Sequence, residues 1–104
     1  MKKKIVYLVN PVAGKLSKKE KQRLIENIDP GSNPAIIFST SAEDAKEKAH
    51  ELMSKRYLVV ACGGDGFINL IAQKAIDCSC KMAVLPFGRG NDFARSLNLH
   101  TLDN

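Results

Sequence analysis

The sequence has few residues of the kinds that form disulfide frameworks or zinc centres. It contains three cysteines and two histidines among 104 residues. An odd number of cysteines argues against a disulfide framework, and Cys78 and Cys80 lack the Cys-x-x-Cys spacing of a zinc site. His50 and His100 each stand apart from any catalytic pattern. We therefore expect reduced thiols and no zinc.

Long hydrophobic stretches are absent as well. The longest, residues 57–62, is far shorter than the roughly 20 residues of a transmembrane helix. The basic residues at the N-terminus are not followed by the apolar region and cleavage site of a signal peptide. These features predict a single domain over residues 1–104 that lies in the cytoplasm.

Tryptophan is absent and aromatic residues make up 6% of the chain, so no stacking platform for nucleic acid bases accompanies its positive charge. The net charge is +5, and half of the sixteen lysines and arginines fall within residues 2–23, where only Glu20 opposes them. The cations of this basic N-terminal region are Lys2, Lys3, Lys4, Lys15, Lys18, Lys19, Lys21 and Arg23. Such a region favours an anionic partner, either phosphate groups or the inner face of a membrane. A nucleic acid partner is not expected.

Hydrophobic patterns predict strands that alternate with helices. The apolar runs that read as strands are 5–9, 35–38, 57–62 and 82–85. Helical spacing of apolar residues follows each run, and the helices are expected to start near Ser17, Ser41, Gly66 and Asp92. This alternation predicts an α/β fold with three layers, α/β/α, around a mostly parallel sheet of about four strands. The arrangement is Rossmann-like.

Turns that contain glycine or hydroxyl residues follow the predicted strands at 10–14, Thr40, 63–66 and 88–91. In a parallel sheet these turns share the carboxyl edge, where ligands bind. Glycine allows positive φ and close approach of a ligand, and a helix start supplies free N–H groups for a phosphate. Neither the P-loop spacing nor Gly-x-Gly-x-x-Gly is present. The turns therefore predict a phosphate site of another kind, with ordinary turns as the alternative.

Four motifs together resemble the N-terminal half of diacylglycerol kinase catalytic domains, a family that includes bacterial lipid kinases and sphingosine kinases and is distantly similar to NAD kinases. The motifs are Asn10-Pro11-x-Ala13-Gly14, Thr40, Gly63-Gly64-Asp65-Gly66 with Ile68-Asn69, and Pro86-x-Gly88-x-Gly90-Asn91-Asp92-Phe93-Ala94-Arg95. The resemblance implies binding of ATP with Mg²⁺ and transfer of the γ-phosphoryl group to a lipid hydroxyl. The nucleotide-binding residues that it implies are Asn10, Gly14, Thr40, Gly63, Gly64, Asp65, Gly66, Phe67, Asn69, Gly88, Arg89, Gly90, Asn91 and Asp92.

Three residues depart from the family pattern. Phe67 stands where the family usually has Thr, Leu70 where it has Glu, and Arg89 where it has Thr, Gly or Ala. Two hydroxyls near the phosphates are thereby lost. Phe67 either packs at the helix start or narrows the site, and Arg89 either replaces a neutral hydrogen bond or is solvated. We expect weak nucleotide binding.

In the family a β-rich second domain supplies the acceptor site, the catalytic carboxylate and metal ligands. This chain ends at Asn104, before such a domain, so no catalytic or metal-binding residue is named and we expect no activity of the chain alone. The alternatives are a non-catalytic remnant, a phosphate-binding module that depends on a partner, and an acceptor of the NAD kinase type. The trailing edge of the sheet is expected to lack intrachain cover, which would favour a homo-oligomer.

Overall fold

A computed structural model of the protein describes residues 4–28, 35–86 and 100–102. Strands and helices alternate along the chain as the hydrophobic patterns predict. Their bounds are β1 (Ile5–Val9), α1 (Lys18–Ile28), β2 (Ala35–Phe38), α2 (Ala42–Ser54), β3 (Leu58–Gly63), α3 (Asp65–Asp77), β4 (Met82–Pro86) and β5 (His100–Leu102). The predicted turn at 88–91 and the helix expected from Asp92 lie outside the described residues.

The strands form one sheet in the order β2-β1-β3-β4-β5. The pairs among the first four strands are parallel, which confirms the prediction of a mostly parallel, Rossmann-like sheet. β5 is an addition that the sequence did not predict, because three residues are too few to show a strand period. It pairs antiparallel with Met82–Val84. The edge of β4 that we expected to lack intrachain cover therefore has a neighbouring strand.

Both faces of the sheet are covered by helices, which confirms the three layers. One face packs against α2 and α3 through Val6, Leu8, Val59, Ala61, Ala45, Ala49, Leu52, Met53, Ile71 and Ala75. The other packs against α1 through Tyr7, Val9, Val60, Cys62, Leu85, Leu24 and Ile25. Since successive residues of a strand point to opposite faces, the continuous apolar runs of β1 and β3 are buried on both sides. No helix in the described ranges is both long and apolar enough to cross a membrane.

The first two helices begin with side-chain caps, and the third does not. In α1, Ser17 Oγ accepts from the Glu20 N–H and Glu20 Oε1 accepts from the Ser17 N–H, at 3.1 and 2.9 Å. The bond from the Ser17 N–H is the main reason that the pKa of Glu20 is lowered. In α2, Ser41 Oγ accepts from the Asp44 N–H at 3.0 Å. The N-cap of α3 is Gly64, which makes no side-chain hydrogen bond.

One member of the basic N-terminal region is not on the surface. Lys21 is fully buried in α1, beside Leu24 and Ile25. The prediction of a basic surface is therefore wrong for this lysine. Its spacing of three and four residues from Leu24 and Ile25 places it on the buried face of the helix. Lys15, Lys18, Lys19 and Arg23 are exposed, as predicted.

Candidate functional site

A cleft of about 360 Å³ lies at the carboxyl edge of the sheet. Its volume falls within the usual range of ligand pockets, about 300–1,000 Å³. Three segments form its walls: the turn after β1, the turn from β2 into α2, and the first turns of α3. The lining residues are Asn10, Pro11, Val12, Ser39, Thr40, Ser41, Ala42, Gly66, Phe67 and Leu70.

Strand order brings these three segments together. β1 lies between β2 and β3, and backbone hydrogen bonds continue the pairing beyond the ends of the strands. The Asn10 N–H donates to the Cys62 carbonyl at 2.9 Å, and the Ser39 N–H donates to the Val9 carbonyl at 3.0 Å. The turns therefore leave the sheet at one level and face a common space.

The turn after β1 is shaped by its own side chain and by one glycine. Asn10 Oδ1 accepts from the Val12 N–H at 3.2 Å, which is an Asx turn. Gly14 has a φ of 67°, in the left-handed region that glycine enters without a steric penalty. Val12 protrudes from the turn and is 84% exposed. The conformational argument for glycine therefore applies at Gly14.

The prediction that glycine provides a positive φ is wrong for the turn at 63–66, where no described residue has a positive φ. Gly63 is a glycine because of packing: a Cβ built there would lie 2.9 Å from Phe67 Cδ2. At Gly64 and Gly66 a Cβ would meet no atom within 4 Å. Neither a positive φ nor packing requires glycine at these two positions: Gly64 is the N-cap of α3, and Gly66 lies in its first turn.

Phe67 adopts both of the roles that the sequence left open. Its ring packs over Gly63 at the start of α3 and against the core beneath α2 and α3. It also lines the cleft, together with Leu70 one turn later in the helix. Where the family pattern has a hydroxyl and a carboxylate, this wall of the cleft is apolar.

The structure brings only some of the predicted residues into the cleft lining. Asn10, Thr40, Gly66 and Phe67 line the cleft. Gly63, Gly64, Asp65 and Asn69 belong to the same β3–α3 segment but are not among the lining residues, and Gly14 lies beyond the lining part of the β1–α1 loop. Gly88, Arg89, Gly90, Asn91 and Asp92 lie outside the described residues.

Sequence reasoning missed several contributors. Pro11, Val12, Ser39, Ser41 and Ala42 also line the cleft. Each lies within two positions of a predicted site residue: Pro11 and Val12 belong to the predicted turn at 10–14, and the other three flank Thr40. Ser41 also caps α2, and the carboxylate of Asp44 accepts from the Thr40 N–H at 2.8 Å. These bonds fix the wall formed by the β2–α2 turn.

Lys21 is a further contributor that the sequence misplaced. Its Nζ donates to the carbonyl oxygens of Asn10 and Pro11, at 3.1 and 2.9 Å. Burial lowers the pKa of Lys21 by removing water from the charged form. The signal that could have found it is its place in the apolar stripe of α1.

Asp65 is an acidic residue that lies between Gly64 and Gly66 at the start of α3. It occupies the first turn of α3 and is exposed. Within the described part of the chain, no group of three or more His, Cys, Asp and Glu residues could hold a metal ion. Mg²⁺ commonly binds one or two carboxylates together with substrate phosphates. The single carboxylate of Asp65 therefore suits a magnesium ion that a phosphate ligand also coordinates.

Comparison with known proteins places the chain in a family. The sequence model of the diacylglycerol kinase catalytic-domain family matches residues 4–104. The chain therefore belongs to the diacylglycerol kinase catalytic-domain family. This result confirms the resemblance that the four motifs indicated.

Individual relatives are similar over nearly the whole chain. It is 32% identical over 101 residues to a diacylglycerol kinase of Bacillus subtilis (strain 168), which covers 92% of this chain and 33% of that protein. It is 32% identical over 106 residues to diacylglycerol kinase zeta of Homo sapiens, which covers 92% of this chain and 11% of that protein. The chain thus spans about a third of the bacterial relative and a smaller part of the human one.

Solved structures share the fold. A diacylglycerol kinase from Bacillus anthracis str. Sterne superimposes with a TM-score of 0.69 and 25% identity, over 89% of this chain and 36% of that chain. A phosphate-loop protein solved in solution superimposes with a TM-score of 0.60 and 18% identity, over 92% of this chain and 86% of that one. The second similarity extends to the fold alone.

The contact between Gly63 and Phe67 predicts opposite effects for two alanine substitutions. Gly63→Ala should lower the free energy of unfolding by about 1–3 kcal/mol, because the added methyl overlaps the Phe67 side chain. Gly66→Ala, the matched control, should leave it unchanged or raise it by up to about 1 kcal/mol, since alanine favours a helix. Urea denaturation followed by circular dichroism measures both. Equal stability of the two variants would contradict the packing assigned to Gly63.

Proposed function

We propose that this chain is the ATP-binding, N-terminal part of a lipid kinase of the diacylglycerol type. In this role it binds ATP with Mg²⁺ in the cleft, for transfer of the γ-phosphoryl group to a lipid hydroxyl. Membership of the family and the cleft at the carboxyl edge of the sheet support the proposal. The acceptor site and the catalytic carboxylate belong to the second domain that the family resemblance implies, so we propose no turnover by this chain alone.

One observation carries the nucleotide assignment: the start of α3 is open and uncapped. The first N–H groups of any helix have no partner within the helix. Side chains cap α1 and α2, whereas Gly64 offers none to α3. Glycine at 64 and 66 keeps the space in front of these N–H groups clear. A phosphate group would satisfy them and would interact favourably with the helix dipole.

Gly66 has a stability cost that an anion-binding role explains. Glycine within a helix is less stable than alanine by about 0.8–1.0 kcal/mol, and no atom near Gly66 prevents a methyl group. A capping side chain at position 64 and alanine at position 66 would each favour the helix more than glycine does. In the proposed complex, Asp65 holds the magnesium ion, which neutralises part of the phosphate charge when bound.

The apolar wall favours a second candidate, a phosphate-binding module that does not catalyse transfer. Phe67 and Leu70 replace polar residues of the family pattern and line the cleft. The ring of Phe67 cannot donate the hydrogen bond that threonine would give to a phosphate. Nucleotide binding is therefore proposed to be weak, and a partner could be needed to complete the site.

A membrane surface is the partner that we propose for the basic N-terminal region. Lys15, Lys18, Lys19 and Arg23 are exposed, and the carboxylate of Glu20, their acidic neighbour, accepts a hydrogen bond within the capping box. Val12, 84% exposed, adds an apolar side chain in the β1–α1 loop, which also contains Lys15. Cations beside an exposed apolar group suit the anionic inner face of a membrane, where a lipid substrate would be found.

Substitution of Gly66 separates nucleotide binding from stability. Gly66→Ala should weaken binding of MgATP about tenfold, or roughly 1.4 kcal/mol, because its methyl group enters the space that the phosphates occupy. Isothermal titration calorimetry measures the affinity. Gln73→Ala, an exposed position later in α3, serves as the matched control and should bind as the unaltered chain does. Unchanged affinity in Gly66→Ala, with measurable binding in the control, would contradict the proposed site.

Substitution of Phe67 tests whether the apolar wall of the cleft weakens nucleotide binding. Phe67→Thr restores the hydroxyl of the family pattern and should strengthen MgATP binding several-fold, since one neutral hydrogen bond contributes about 0.5–1.5 kcal/mol. The same change should lower the melting temperature, because the packing of the ring over Gly63 is lost. Leu70→Ala, which removes apolar wall without adding a hydroxyl, is the control. Weaker binding in Phe67→Thr would show that the ring is part of a working site and not an obstruction.

A further inference from the structure

We propose that Lys21 is a positioning residue for the cleft: its buried ammonium group fixes the turn that forms the β1 wall and directs two carbonyl oxygens away from an anionic ligand. The inference deepens the proposed function and rests on it for the identity of the ligand. Its geometric part, the fixing of the turn, stands on the contacts of Lys21 alone.

The contacts join the interior of α1 to the cleft wall. Lys21 Nζ donates to the carbonyl oxygens of two consecutive residues, Asn10 at 3.1 Å and Pro11 at 2.9 Å. Both of these residues line the cleft, while Lys21 itself is fully buried and does not. The turn is thus held from α1 by Lys21 and from β3 by the bond between the Asn10 N–H and the Cys62 carbonyl.

A lysine at this position is costly for folding. Its neighbours on the buried face of α1 are Leu24 and Ile25, and an apolar side chain would continue their stripe without burying a charge. Burial lowers the pKa of Lys21, and the Cys62 thiol, which is also buried, interacts with it electrostatically. Because desolvation disfavours the ammonium, a compensating role at the turn is expected.

The role that we assign to Lys21 is to set the direction of these two carbonyl groups. Carbonyl oxygens carry partial negative charge, and along a cleft wall they would repel phosphates. The bonds to the buried ammonium group of Lys21 direct the oxygens of Asn10 and Pro11 toward α1, and the Asn10 oxygen also accepts from the Ala13 N–H at 3.4 Å. One wall of the cleft is then formed by the Asx turn with the exposed Val12, and the opposite wall by the uncapped start of α3. Without Lys21, both the position and the polarity of this wall would change.

Amide hydrogen exchange without any ligand tests the geometric part. In Lys21→Met, which keeps an unbranched side chain of similar length, the amides of Asn10 and Val12 should exchange about tenfold faster, as expected for local opening. Amides within β3 should be unchanged. Lys19→Met, an exposed cation of the same helix, should leave every rate as it is. Unchanged exchange at Asn10 and Val12 in a folded Lys21→Met protein would overturn the inference.

Calorimetry with MgATP tests the functional part. Lys21→Met should bind about tenfold more weakly, and Lys21→Arg, which keeps the donors and the charge, should recover most of the affinity. Leu24→Ala, chosen from the same buried face, should lower stability without a comparable loss of affinity. An equal loss of MgATP affinity in Leu24→Ala, or no recovery of affinity in Lys21→Arg, would contradict the positioning role. Either result would mean that Lys21 only stabilises the fold.

The two hypotheses fail in different ways. If the unaltered chain does not bind MgATP, the proposed function fails, while the exchange rates at Asn10 and Val12 still decide whether Lys21 fixes the turn. If the unaltered chain binds and Lys21→Met binds equally well, the positioning role fails alone. Should Lys21→Met not fold, Lys21→Gln keeps one donor group and is expected to show both effects to a smaller extent. Unaltered exchange and affinity in Lys21→Gln would then overturn the inference.

Discussion

The cleft depends on two backbone hydrogen bonds that lie just beyond the strands. They join Asn10 to Cys62 and Ser39 to Val9, and they make β1 the common neighbour of the two other strands whose ends reach the cleft. Because β1 and β3 are buried on both faces, this part of the sheet has little freedom to shift. The turns can therefore carry residues chosen for binding and not for folding.

The glycines of the β3–α3 segment show how such choices can be recognised. Gly63 is needed because the Phe67 side chain occupies the space of a Cβ, whereas Gly64 and Gly66 face open space. A single motif thus contains one glycine that packing requires and two that neither packing nor a positive φ requires. An uncapped helix start at the same place agrees with a phosphate ligand. Lys21 acts on the opposite wall, from the interior of the protein.

The fold could be predicted from the sequence because its signals are local. Apolar runs gave the four parallel strands, and the Ser17–Glu20 pair marked the start of α1. β5 could not be predicted, since three residues are too few to show a strand period and their pairing with Met82–Val84 joins segments far apart in the sequence. For the site, three of the turns that the motifs named contribute residues to the cleft lining, and the turn at 88–91 lies outside the described residues. The burial of Lys21 was misjudged because its positive charge was weighed above its place on the buried face of α1. For Phe67 the sequence left two roles open, and only the folded geometry shows that its ring both packs over Gly63 and lines the cleft.

The central claim, that phosphates bind at the open start of α3, is tested most directly by mapping backbone amide chemical shifts during a titration with MgATP. The account predicts the largest changes at residues 64–67, with smaller ones in the opposing walls at 10–12 and 39–42. Changes confined to a distant surface, such as the charged groove of Glu43, Lys46, His50 and Lys74 between α2 and α3, would contradict it.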